Sequence, residues 1–108
     1  MATLALIRDL LFASKVTSTA RAISADVTIV RDVKKLDEFE GDRLIVDLNA
    51  PGHLEAAAAW KARTGRPVIG FIAHVATDQI QQARELGIDR ILSNGGFSNS
   101  IESILKNE

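Results

Sequence analysis

A chain of 108 residues is long enough for one domain with its own core, since folding at this size buries roughly two thirds of the surface of the unfolded chain. With no cysteine it offers no disulfide, no thiolate metal ligand and no cysteine nucleophile. Its 13 Lys and Arg balance 14 Asp and Glu without forming a basic stripe, and four Phe and one Trp are too few for a base-stacking platform, so no nucleic-acid partner is expected.

In chain order, short apolar runs alternate with amphipathic stretches. The runs are TLALI (3–7), VTIV (27–30), RLIVDL (43–48), PVIGFIA (67–73) and RILS (90–93), the pattern of strands covered on both faces. After the first run, Phe12, Val16, Ala20 and Ile23 repeat at helical spacing. VKKLDEFE predicts a short polar helix closed by Gly41, HLEAAAAWKART a helix closed by Gly65, and TDQIQQAREL a helix closed by Gly87. SNGGF (93–97) reads as a tight loop whose N–H groups face either an anion or nothing in particular. The last helix is expected in SNSIESILKN, where Asn99 and Glu102 stand at capping-box spacing and Ile101, Ile104 and Leu105 form the apolar face. The opening MATLALIRDL has neither a basic leader nor a long apolar segment, and no apolar run approaches the ~20 residues of a membrane span, so a cytoplasmic protein with no membrane association is expected.

Strict βα alternation with short connections implies a parallel sheet with helices on both faces, because each parallel crossover is right-handed and needs a helix. The fold class is α/β, a flavodoxin-like (βα)5 doubly wound five-stranded sheet of order 2-1-3-4-5, over a single domain 1–108. Ligands in such sheets bind at the carboxyl ends of the strands, where the winding switches. The loops to examine are therefore Arg8-Asp9, Asp47-Asn49, Ala73-His74 and Asn94-Gly96.

On these residues the whole chain resembles a response-regulator receiver domain of the CheY type, of stand-alone bacterial character. IVDLNAPG (45–52) is similar to the family's Asp-x-x-x-Pro-Gly element after strand 3, RPVIGFIAHV to its strand 4, and ARELGIDRILSNGGF to its fourth helix, fifth strand and following loop. The resemblance places Asp47 on the phosphoacceptor position and Asn49 on the residue whose carbonyl helps bind magnesium. It implies two-component signal transduction, with a histidine kinase or another signalling protein as partner. A further likeness, to short bacterial receiver-like proteins with Asp-Leu-x-Phe and Gly-Phe-x-x-His-Val elements, is carried by Asp9 to Phe12 and Gly70 to Val75.

The chain departs from the family's pattern at the positions that carry the chemistry. The adjacent acids after strand 1 read Arg8-Asp9, the switch Thr or Ser falls on Ile72, the Lys after strand 5 falls on Asn94, and the Pro after that falls on Gly95. Phosphoryl transfer to a carboxylate needs cations to neutralise developing charge, and Mg²⁺ needs oxygen ligands. If a magnesium ion binds at all, Asp9, Asp47 and Asn49 would hold it weakly; no other cofactor is expected. Arg8 is expected to pair with Asp47 as an internal substitute for the ion, though it can equally face solvent.

The remaining candidates have simple alternatives. Asp9 lies where a helix cap is needed. His74 stands near the pocket beside Ala73 and reads otherwise as a surface imidazole, and His53 as a solvated first-turn residue. Trp60 and Ala56 to Ala59 suit helix–sheet packing, and Ser14, Thr17, Ser18 and Thr19 a solvated helix face with no base to make a nucleophile. No enzyme is expected. The reading that fits best is an atypical pseudo-receiver acting by protein–protein interaction independently of aspartyl phosphorylation, with its fourth helix, fifth strand and fifth helix as a partner or homodimer surface. The alternatives are a weakly phosphorylatable receiver using Asp47, and a small-ligand binding domain at the carboxyl edge of the sheet.

Overall fold

The computed structural model describes residues 1–73 and 77–107. Five strands, β1 (Ala2–Leu6), β2 (Asp26–Val30), β3 (Arg43–Asp47), β4 (Val68–Ile72) and β5 (Arg90–Ser93), form one parallel sheet of order β2-β1-β3-β4-β5. The helices are α1 (Leu10–Ile23), α2 (His53–Thr64), α3 (Thr77–Glu85) and α4 (Asn94–Leu105). This is the doubly wound flavodoxin-like arrangement that the alternation of runs implies.

Side chains of the central strands alternate between two cores. Leu4, Leu6, Leu44 and Val46 face Ala57 and Trp60 of α2, while Ala5, Ile7 and Ile45 face Val16 of α1 and Phe97 and Ile101 of α4. On the second face Phe71 and Phe97 stack with ring centroids 4.1 Å apart, and Phe12 lies 4.8 Å from Phe71. Trp60 is fully buried, as expected of a helix that meets the sheet closely.

Two expected elements differ. VKKLDEFE holds a 3-10 segment, Val33–Glu38, and not an α-helix. Only Leu36 among those residues is buried, which is too little apolar anchorage for a longer helix. SNGGF is also not a loop, because α4 begins at Asn94 directly after β5, with the Ser93 hydroxyl accepting from Gly96 N–H at 2.9 Å. Asn99 and Glu102 are thus mid-helix residues and make no capping box. Phe97, Ile101, Ile104 and Leu105 fall on one helical stripe and are all buried. Burying Phe97 outweighs the propensity cost of Gly95 and Gly96, ~1 kcal/mol each.

Arg43, at the start of β3, is buried yet has no carboxylate partner among the described residues. Its guanidinium donates to Thr3 Oγ1 at 2.7 Å and to the carbonyls of Ile104 and Leu105, the last turn of α4. The negative end of that helix and its orphan carbonyls stabilise the charge, while burial lowers the guanidinium's pKa. Among the described residues, no helix is long and apolar enough to cross a membrane.

Candidate functional site at the carboxyl edge of the sheet

β3 delivers Asp47 to the carboxyl edge, where it is only 3% exposed. Its Oδ1 accepts from the backbone N–H of Asn49 at 2.9 Å and from Asn49 Nδ2 at 2.7 Å. The same Asn49 amide reaches further: Nδ2 donates to Asn94 Oδ1 at 3.1 Å, and Oδ1 accepts from the Ala73 N–H at 2.7 Å. One neutral side chain therefore ties the ends of β3 and β4 to the first residue of α4. Gly70 permits this loop path, since a Cβ there would come within 2.6 Å of Leu48 Cδ1. Asp47 Oδ2 accepts no bond from a described residue, and the carboxylate lines a cavity of about 300 Å³ with Arg8, Asp9, Asn49, Ala50 and Pro51.

Asp9 caps α1. Its Oδ1 accepts from Leu11 N–H at 2.8 Å and Phe12 N–H at 3.1 Å, a contribution of ~1 kcal/mol to that helix. Ile72 is half-buried at the end of β4, beside Ser93 of β5, and carries no hydroxyl. Asp47, Asn49, Ala73 and Asn94 are thus brought together as expected, with Ile72 close by. His74 lies outside the described residues.

The expected Arg8–Asp47 pair does not form: among the described residues, Arg8 makes no ion pair. Local amides already satisfy Asp47 Oδ1, whereas an exposed guanidinium would give up hydration and side-chain freedom to reach it. Arg8 also lines a second cavity, of about 350 Å³, with Arg31, Asp32, Val33, Pro51 and His53.

His53 is a correction as well. It is 2% exposed, and its Nδ1–H donates to the Asp47 carbonyl at 2.8 Å. Gly52, at φ 82°, makes the turn that drops this first residue of α2 beneath the edge. A strand end followed by Pro-Gly and a helix start is the only sequence cue to that burial. Arg31 escaped attention because it follows β2, the edge strand; since β2 lies beside β1, the loop after it borders the same edge.

Superposed on solved structures, the chain matches chemotaxis response regulator CheY4 of Vibrio cholerae with a TM-score of 0.82 at 18% identity, over 99% of this chain and 98% of that one. It matches the receiver domain of NtrX from Brucella abortus at 0.80 and 10% identity, over 97% and 95% of the two chains. It also matches the Mn²⁺-bound form of response regulator Rcp1 at 0.80 and 16% identity, over 95% and 90%. The fold is that of the response-regulator receivers. No family model and no curated protein matches the chain by sequence.

A divalent ion, as in the Rcp1 structure, needs a cluster of hard oxygen donors. Among the described residues of this receiver fold, no group of three His, Cys, Asp or Glu side chains is placed to hold one. Asp9 has Oδ1 engaged in its cap, Asp47 has Oδ1 engaged by Asn49, and the cation Arg8 lines the cavity between them. Among the described residues the donor set for a divalent cation is therefore sparse, with one oxygen of each of these two carboxylates already engaged.

Proposed function

We propose that this protein is a cytoplasmic, non-enzymatic receiver-fold signalling module that works through protein contact, without aspartyl phosphorylation. The observation that carries the reading is the Asn49 amide, which holds Asp47 Oδ1, Asn94 Oδ1 and the Ala73 N–H at once. In a phosphorylated receiver, charge on the acceptor has to be met by cations and followed by a hydroxyl. Here the corresponding groups are a neutral amide at Asn94 and an alkyl chain at Ile72. The edge that would move is already bonded together.

The partner surface we infer is α3, β5 and α4. Gln81, Gln82, Glu85, Arg90, Ser93 and Glu102 are all exposed there, a mixed polar set suited to a transient partner, such as a kinase or other signalling protein, or to a second copy of the chain. One observation favours the second reading, a weakly phosphorylatable receiver: no described cation pairs with Asp47, and the carboxylate lines an open cavity. Adding Mg²⁺ with acetyl phosphate or beryllofluoride decides between them. No saturable change is expected in the amide resonances of Asp47, Ile72 and Asn94; a saturable change at millimolar Mg²⁺ would overturn the proposal in favour of the second reading.

A further inference from the structure

The cavity between Arg8, Arg31 and His53 lies on the other side of Arg8 and Pro51 from Asp47, and nothing in the receiver reading uses it. Its cations are brought there by the adjacency of β1 and β2. The strands pair with Leu6 opposite Val30, and the Ile7 N–H donates to the Val30 carbonyl at 3.1 Å, so Arg8 and Arg31, offset by one residue in register, both follow the ends of neighbouring strands and line the same cavity. Arg31 Nη2 donates to the Arg8 carbonyl at 3.3 Å, which holds the second guanidinium near the first strand's end. Among the described residues, neither arginine forms an ion pair.

His53 supplies a third, independent feature. The bond to the Asp47 carbonyl places a proton on Nδ1, which leaves Nε2 as the free end of the ring. Nε2 has no partner among the described residues, although the side chain is 98% buried and lines this cavity. Among the described residues Asp32 is the one carboxylate in the lining, and its Oδ1 is engaged by the Lys34 N–H at 2.9 Å. α2 begins here too, with its positive end toward the edge and no side-chain cap at Gly52.

We propose that this cavity is a binding site for a phosphate group, carried by a small phosphate monoester. Two planar guanidiniums present forked donors matched to phosphate oxygens, and each is more weakly hydrated than an ammonium group. The free Nε2 accepts from a protonated phosphate oxygen. A volume of about 350 Å³ suits a small molecule and not a macromolecular segment. Binding brings a counter-charge to two neighbouring cations that no described carboxylate pairs.

The test is an NMR titration of the full chain with inorganic phosphate and, separately, with glycerol 3-phosphate, against sodium chloride at matched ionic strength. Saturable shifts confined to the amides of Arg8, Arg31 and Val33 and to the His53 ring are expected, with a dissociation constant in the millimolar range or below. Binding should weaken about tenfold or more, roughly 1.4 kcal/mol, in Arg8→Gln and in Arg31→Gln, while the distant Arg84→Gln binds as wild type does. Tighter binding of the ester identifies a metabolite as the ligand, and equal binding identifies free phosphate. The proposal is overturned if the shifts do not saturate, if chloride reproduces them, or if Arg31→Gln, an exposed substitution that leaves the core intact, binds unchanged.

Discussion

Between β3 and α4 the carboxyl edge is closed by neutral groups, with Asn49 bridging Asp47, Asn94 and Ala73; between β2 and α2 the same edge presents two guanidiniums that no described acid pairs. The first half has a neutral amide and an alkyl chain at Asn94 and Ile72, and the second has cations that no described carboxylate pairs. Arg8 stands at the boundary, and the difference turns on which way it goes. Because local amides satisfy Asp47 Oδ1, the acid does not draw Arg8 in, and the cation is left for the other half.

The sharpest way to break this division is His53→Ala, because His53 touches both halves. It holds the Asp47 carbonyl with Nδ1–H and lines the Arg8–Arg31 cavity. Losing a buried ring and its hydrogen bond is expected to cost about 2–3 kcal/mol in urea unfolding. A cost below about 0.5 kcal/mol, as for an ordinary surface change, would show that the imidazole does not brace the edge.

Asn49→Ala should open the closed half alone. It removes the bonds to Asp47, Asn94 and Ala73, for an expected loss of about 1–2 kcal/mol. Hydrogen exchange at the Ala73 amide should accelerate, whereas the amides of Arg31 and Val33 should exchange as before. Faster exchange at both places would mean that the two halves open as one unit.

The smallest effect is expected at the opposite edge, where an acid is held by a cation. Burial raises the pKa of Asp89, but the hydrogen bonds from Lys61 and from the Val68 N–H, together with the Lys61 charge, outweigh it and hold the carboxyl below its ordinary value. A depressed folded-state pKa stabilises the fold above the unfolded value of about 3.9, and that contribution disappears as pH falls through the lower folded value. Asp89→Asn should therefore flatten the fall of the urea midpoint below about pH 4, modestly because the side chain is largely exposed. An unchanged acid profile would show that neither Lys61 nor the Val68 N–H holds the carboxyl below its ordinary value.

The apolar runs of the sequence determined the five parallel strands and their order, because a strand buried on both faces has few alternatives and βα alternation admits few windings. Asp47, Asn49, Ala73 and Asn94 meet because they lie at or just past the carboxyl ends of β3, β4 and β5, which are consecutive in the sheet. What the sequence did not determine was the start of α4, where the need to bury Phe97 overrode two helix-breaking glycines, or the shortening of VKKLDEFE, where too little apolar surface was present. Nor did it determine the partners of the polar groups. Only the tertiary structure decided that the Asn49 amide reaches Asn94 and Ala73, that Arg43 closes the end of α4, and that His53 lies beneath the edge. Apolar burial follows a periodicity that is written along the chain, whereas a hydrogen bond or ion pair depends on distances of a few ångströms between elements far apart in sequence, and those are set only when the sheet and helices are packed together.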